Sequence, residues 1–131
     1  KALHDNGKGE LYSIDLPEYD PSQVNLPTMK KEKPGWIIPE RLKDRWHFIA
    51  GKSEEQLPLL LKKVPRVDIF FHDSLHTHEH MTFEYSTTWP CIPEAGLLLS
   101  DNINWNTAFA EFSQKVNRPS VEKYHFGGIR K

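Results

Sequence analysis

Short apolar runs alternate along this chain with segments whose apolar residues recur at helical spacing. Two of the runs, residues 67–71 (VDIFF) and 96–100 (GLLLS), lack clean alternation. That pattern is typical of strands covered on both faces of a parallel sheet. Residues 10–15 (ELYSID) and 46–51 (WHFIAG) predict two further strands. Because helical segments separate the strands, the order favours an α/β domain with a mainly parallel sheet.

The remaining elements follow from the same patterns. Residues 1–9 indicate the end of a helix that terminates at a glycine. Residues 120–131 indicate two short strands around a bend. Residues 17–35 contain four prolines and a KKEK run, which predict an irregular loop. Residues 90–96 predict a reverse turn. Helices are predicted over residues 36–44, 53–64, 77–88 and 104–116.

Two of these helices have identifiable core positions. In the helix over residues 77–88, Met81 and Tyr85 are expected to face the sheet. In the last helix the 3- and 4-residue spacing predicts a core stripe rather than a cofactor site. Its members are Trp105, Ala108, Phe109 and Phe112.

Composition narrows the class of protein. The 131 residues, 37% hydrophobic and 27% charged, are enough for one soluble globular domain with a core, spanning residues 1–131. A net charge of −1 argues against an electrostatic nucleic-acid binder. No apolar run approaches the ~20 residues of a membrane span. Cys91 is the single cysteine, so no internal disulfide can form and a cytoplasmic location is expected.

Polar residues follow both central strands where each one ends. His72, Asp73 and Ser74 come after residues 67–71, and Asp101 and Asn102 come after residues 96–100. In an open α/β sheet, ligands bind outside the carboxyl ends of the strands. We therefore expect Asp73, His76, Asp101 and Asn102 to converge on one rim.

This succession of motifs resembles a known family. The order of elements is similar to the second half of class I S-adenosylmethionine-dependent methyltransferases. It runs as a strand, Asp, two residues, His, a helix, a PEAG turn, a strand and Asp-Asn. The closest similarity is to metal-dependent O-methyltransferases of the catechol and macrolide-sugar type. The resemblance implies that Asp73, Asp101 and Asn102 bind Mg²⁺ and that His76 is the general base. It also implies a small-molecule hydroxyl acceptor.

The resemblance also implies a cofactor site. Asp15, at the end of the family's second strand, would hold the ribose hydroxyls of S-adenosylmethionine, as a carboxylate does in dinucleotide folds. Gly51, Lys52 and Ser53 would border the adenine, and Asp73 would also lie near the cofactor. Many relatives have an acid at the position of Lys52, which is a departure from the pattern. A turn-starting aspartate and a plain strand-to-helix turn remain the alternative interpretations.

The implied fold is Rossmann-like, with a mainly parallel sheet and an antiparallel C-terminal hairpin. In the family strand order 3-2-1-4-5-7-6, the first strand and its glycine-rich loop would lie upstream of Lys1, so the chain covers roughly two-thirds of the domain. The sheet would then close by pairing residues 10–15 with 67–71, by borrowing a strand in a homodimer, or not at all. We expect weak or no S-adenosylmethionine binding by this chain.

Other interpretations stay open. Asp73 could cap the following helix, and Asp101 and Asn102 could simply end a strand. The histidine cluster His72, His76, His78 and His80, with its HTHEH run, could form a zinc site of a hydrolase, and His76 and His80 would share one helical face. Surface positions are expected for most of these four histidines. For function, O-methylation of a small hydroxylated molecule competes with an inactive remnant or a partner-binding domain.

Overall fold

The computed structural model describes residues 1–16 and 34–131. They form two compact units, Lys1–Ser53 and Glu54–Lys131, each with a sheet of its own. The architecture is mixed α/β, as the sequence pattern predicts. Most of the loop predicted over residues 17–35 lies outside the described residues. The expectation of a single domain stays a prediction.

The sheet of the N-terminal unit has two parallel strands. β1 (Leu11–Asp15) pairs with β2 (Trp46–Ala50), and the register sets Asp15 beside Ala50 at the carboxyl end. Across this pair the indole Nε1 of Trp46 donates a hydrogen bond to the Ser13 hydroxyl at 3.0 Å. Both predicted strands are confirmed.

Helical structure in this unit is short. Helix α1 (Ala2–Asn6) ends at Gly7, whose φ of 65° is the left-handed conformation that glycine readily supplies at helix ends. The helix predicted over residues 36–44 is wrong, because only Glu40–Leu42 form one turn of 3-10 helix. Pro39 has no N–H to donate and disfavours a helical conformation in the residue before it.

The C-terminal unit contains a four-stranded sheet in the order β3-β4-β6-β5. β3 and β4 are parallel, whereas β6 is antiparallel to both β4 and β5. The last two strands therefore form the hairpin that the sequence predicts. The strands are β3 (Ile69–His72), β4 (Leu97–Ser100), β5 (Ser120–Lys123) and β6 (Phe126–Arg130).

Three helices complete the structure: α2 (Ser53–Lys63), α3 (His78–Thr88) and α4 (Ala108–Lys115). Acidic residues in the first turn of α2 and lysines in its last turn match the helix dipole. No helix in the described part of the chain is long and apolar enough to cross a membrane. The core side chains come from α3, α4, β4, β6 and the loops between them: Met81, Tyr85, Ile92, Leu98, Ile103, Ala108, Phe109, Phe112 and Ile129.

The last helix is shorter than predicted. The Asn106 side chain accepts a hydrogen bond from the Ala108 N–H at 2.9 Å, so the helix starts at Ala108 and not at residue 104. Trp105 lies in the preceding turn with 66% of its surface exposed, and its assignment to the core stripe is wrong. The other three members of the stripe are buried.

Two more expectations need correction. β1 pairs with β2 and β3 pairs with β4, in separate sheets, so direct pairing of residues 10–15 with 67–71 is not formed. The third strand also runs one residue further than predicted, because His72 pairs with Ser100 and is fully buried.

Gly127 offers a test of the core. A Cβ at this position would lie 2.6 Å from the Phe109 ring, so we expect Gly127→Ala to lower the free energy of unfolding by about 1–3 kcal/mol. Gly128→Ala is the matched control, because its nearest contact, at 3.1 Å, is the movable end of Leu99. Urea unfolding measures both, and equal losses would contradict the packing at Gly127.

Candidate active site

Two aspartates stand side by side at the carboxyl end of the β3–β4 pair. Since His72 pairs with Ser100, Asp73 and Asp101 each come one residue beyond the paired strand ends. The Asp101 N–H donates a hydrogen bond to the His72 carbonyl at 3.0 Å. Neighbouring strands lie about 4.8 Å apart. The two carboxylates therefore share one edge of the sheet.

His76 lies beside these aspartates, with only 10% of its side chain exposed. Its Nε2 is 4.0 Å from a carboxylate oxygen of Asp73 and 3.4 Å from the side-chain nitrogen of Asn102. The Trp105 ring lies 5.2 Å from the imidazole, centroid to centroid. The structure thus brings the four predicted rim residues together, and their chemical roles stay predictions.

The surroundings of His76 favour a neutral imidazole. Burial lowers its pKa below the ordinary value of 6.5, and the neighbouring His72 lowers it further. Asp73, Asp101 and Glu84 raise the pKa but do not reverse the direction. A neutral ring nitrogen can accept a proton, which is what a general base requires.

A buried carboxylate, Glu84 on α3, organises the polar residues behind the rim. One of its oxygens lies 2.6 Å from Nδ1 of His72, and the other accepts from the Ser74 hydroxyl at 3.0 Å and lies 2.9 Å from Nε2 of His80. His80 also lies 3.2 Å from an oxygen of Glu54. These contacts satisfy a carboxylate whose residue is only 4% exposed.

The contact with Glu84 uses only one of the two ring nitrogens of His72. Among the described residues, Nε2 of His72 is buried without a hydrogen-bond partner. If Nδ1 carries the proton and donates to Glu84, then Nε2 is only an acceptor.

The end of β4 is held in a similar way. The Tyr85 hydroxyl and the Ser100 hydroxyl lie 2.6 Å apart, and both residues are fully buried. Burial raises the pKa of Tyr85 to about 12, so the phenol keeps its proton at any ordinary pH.

The histidine run is arranged differently from the zinc interpretation. His76 precedes α3, so it does not share a helical face with His80, and His78 instead lies 2.9 Å from Glu111. Surface positions are wrong for His72 and His80, which are buried. Within residues 1–16 and 34–131, no group of three or more His, Cys, Asp or Glu side chains is placed to hold a metal.

Asp73 is not a helix cap either. Thr77 takes that role, since its hydroxyl accepts a hydrogen bond from the backbone N–H of His80 at 3.3 Å. The Asp73 side chain is 57% exposed, and among the described residues no basic side chain lies nearer to it than His76, at 4.0 Å. Its carboxylate is therefore available to a ligand.

The rim residues fit the donor chemistry of Mg²⁺. This ion takes hard oxygen ligands and usually keeps waters or substrate oxygens in its shell. Asp73, Asp101 and the Asn102 amide offer such oxygens, and both carboxylates are accessible. Nε2 of His125 lies 3.4 Å from a carboxylate oxygen of Asp101, a neighbour that the sequence pattern did not predict.

The predicted cofactor residues lie in the N-terminal unit, except for Asp73. Asp15 ends β1, and its carbonyl accepts a hydrogen bond from the Gly51 N–H at 3.0 Å. Lys52 is exposed, and Ser53 is the first residue of α2. Asp15, Gly51, Lys52 and Ser53 therefore stay predictions as cofactor contacts.

The raised pKa of Tyr85 predicts that the folded state loses stability at alkaline pH. Because its pKa in the folded state lies above the ordinary 10, its contribution to stability is complete below pH 10 and is lost between pH 10 and about 12. We expect the free energy of unfolding to fall there by at most about 2–3 kcal/mol. Tyr85→Phe should remove that part of the fall. Denaturant titrations at pH 9, 10 and 11 measure it, and identical pH profiles for both proteins would contradict the assignment.

Solved structures with related folds include two methyltransferases. CalS11, described as a calicheamicin methyltransferase, has a TM-score of 0.61 and 14% identity, over 92% of this chain and 60% of that chain. The MycE methyltransferase of the mycinamycin pathway, in complex with Mg, SAH and mycinamycin VI, has a TM-score of 0.58 and 16% identity. The match covers 94% of this chain and 36% of the MycE chain. This chain thus spans less than two-thirds of either structure, and the similarity is one of fold.

Sequence comparison identifies the family directly. No curated protein gives a significant match. A family model described as a methyltransferase domain matches residues 1–103, which is most of the chain. The parallel strands and the antiparallel C-terminal hairpin also agree with the solved methyltransferases. The chain therefore belongs to the methyltransferase-domain family and has the α/β fold of the class I enzymes.

Proposed function

We propose that this chain forms part of an S-adenosylmethionine-dependent O-methyltransferase that acts on a small hydroxylated molecule with the help of a divalent metal. The observation that carries the proposal is the position of His76. A largely buried imidazole lies on the same rim as Asp73, Asp101 and Asn102, at the carboxyl ends of two parallel strands. Ligands bind at such ends in open α/β sheets.

His76 acts as the base in this scheme. Its Nε2, facing Asp73 and Asn102, takes the proton of the acceptor hydroxyl. S-adenosylmethionine, when bound, would supply the methyl group and would keep the electron pair of the broken sulfur–carbon bond as S-adenosylhomocysteine. The methyl would end on the acceptor oxygen as a methyl ether, and the hydroxyl proton would end on His76. Alignment of the two reactants supplies much of the acceleration.

Asp73, Asp101 and Asn102 would hold the metal. Mg²⁺ bound there would supply positive charge that lowers the pKa of the acceptor hydroxyl. The accessible carboxylate of Asp73 and the partly covered carboxylate of Asp101 leave room for acceptor oxygens. Two hydroxyls on neighbouring carbons would suit such a site.

The cofactor would use residues of the N-terminal unit. Asp15 stands at the carboxyl end of β1, the position from which a carboxylate accepts hydrogen bonds from ribose hydroxyls in dinucleotide folds. Gly51, Lys52 and Ser53 would border the adenine. A homodimer and the absence of nucleic-acid partners stay predictions from the sequence.

The solved structures favour the same class of acceptor. CalS11 is described as a TDP-rhamnose 3'-O-methyltransferase, and MycE was solved with Mg, SAH and a macrolide. Both descriptions are compatible with a metal at the rim and with a sugar-bearing acceptor. The alternative of an inactive remnant or a partner-binding domain predicts neither metal binding nor methyl transfer.

Metal dependence is the first test. With the intact protein that carries this chain, we expect EDTA to abolish transfer of a radiolabelled methyl group to a sugar diol and Mg²⁺ to restore it. Asp101→Asn should raise the Mg²⁺ requirement by about tenfold or more, since it removes a charged ligand. Asp68→Asn is the control, because Asp68 is exposed and pairs with Arg66 before β3. Transfer that continues in EDTA would rule out the metal.

The base is tested separately. We expect His76→Ala to lower kcat by ~10²-fold or more, the usual contribution of a general base. His78→Ala is the matched control: this histidine lies two residues away, is exposed and pairs with Glu111. Turnover is measured at saturating acceptor. An unchanged kcat in His76→Ala would remove it from the mechanism.

A further inference from the structure

Two consecutive residues of α3 hold the ends of the two strands that carry the candidate metal ligands. Glu84 contacts His72, the last residue of β3, and Tyr85 contacts Ser100, the last residue of β4. His72 and Ser100 are themselves paired in the sheet. Two adjacent residues of the helix thus hold two strand ends that are paired with each other in the sheet.

The next residue of each strand is a candidate ligand. Side chains of successive residues in extended backbone point to opposite sides. His72 is fully buried against Glu84, whereas the side chain of the following Asp73 is 57% exposed. Likewise Ser100 is fully buried, and the side chain of Asp101 is 26% exposed. Anchoring the inward residue therefore sets the direction of the carboxylate that follows it.

Glu84 also holds the other side of Asp73. The carboxylate oxygen that does not contact His72 accepts a hydrogen bond from the Ser74 hydroxyl. Asp73 is thus fixed through both of its neighbours, while its own side chain has no charged partner nearer than 4.0 Å among the described residues. Its position depends on Glu84 rather than on contacts of its own.

A buried carboxylate is a costly way to stabilise a core. Removal of a carboxylate from water costs free energy that its hydrogen bonds must recover, so apolar residues of similar size would serve stability as well. What an apolar pair lacks is the directional hold on His72 and Ser74. The geometry therefore favours a role in placing the rim.

We propose that Glu84 and Tyr85 are positioning residues that set the separation and direction of Asp73 and Asp101 for a divalent cation. This inference rests on the proposed function, because it needs the rim to bind a metal. Neither residue touches the ion; each acts through the strand end that it holds. Outer contacts of this kind contribute to metal affinity because they fix the ligands before binding.

Binding of Mn²⁺, a spectroscopic substitute for Mg²⁺, tests the inference without activity. The intact protein that carries this chain is titrated with Mn²⁺, and free Mn²⁺ is followed by electron paramagnetic resonance. We expect Glu84→Gln and Tyr85→Phe each to weaken binding by about tenfold or more. Ser74→Ala should weaken it by roughly two- to tenfold, the worth of one typical hydrogen bond. Glu79→Gln, an exposed acid on the same helix, should bind as the parent does.

A double-mutant cycle separates positioning from general damage. If Glu84 acts through Asp73, then Glu84→Gln should cause little further loss in a chain that already carries Asp73→Asn. Near-ultraviolet circular dichroism checks that each variant keeps its packed core. Should Glu84→Gln fail to fold, Tyr85→Phe and Ser74→Ala decide the question.

The outcomes distinguish this inference from the proposed function. Parent-like Mn²⁺ affinity in folded Glu84→Gln and Tyr85→Phe, or fully additive losses with Asp73→Asn, would overturn the positioning role alone. A parent chain that binds no Mn²⁺, or Asp73→Asn with parent affinity, would overturn the metal site and the positioning role together.

Discussion

The hydrogen bond between the Glu84 carboxylate and His72 is the contact on which the candidate site depends. It joins α3 to β3 across the centre of the C-terminal unit, and both residues are buried. Ser74 and His80 also contact the carboxylate, so its oxygens have hydrogen-bond partners despite burial. Through these contacts Glu84 holds His72 and Ser74, the residues on either side of Asp73.

The sequence predicted the elements more reliably than their contacts. Apolar runs and helical spacing predicted the six strands that lie in residues 1–16 and 34–131 and the helices α2 and α3, because those signals are local. Trp105 shows the limit: its spacing from Phe109 fits a helix, but the Asn106 side chain bonds to the Ala108 N–H and starts the helix later. A side-chain hydrogen bond of this kind competes with helical periodicity and is invisible to it.

Of the candidate site, the sequence predicted the rim residues and not the buried residues behind them. Asp73, His76, Asp101 and Asn102 follow strands, so their convergence is a consequence of parallel pairing. Glu84 could not be identified in this way, because its role comes from a partner twelve residues earlier that is brought near by tertiary packing. The one local signal was its spacing of four residues from His80, which places both on one face of α3.

The parallel pairing of β3 and β4 has a consequence for how such a site arises during folding and in evolution. Every rim residue from Asp73 to Asn102, with the helix that supports them, belongs to one strand–helix–strand unit. A connection of this length costs little chain entropy to close, so the rim can assemble from its own short segment. The rim is therefore formed by about thirty consecutive residues, and loops elsewhere can change in length or sequence while the rim stays intact.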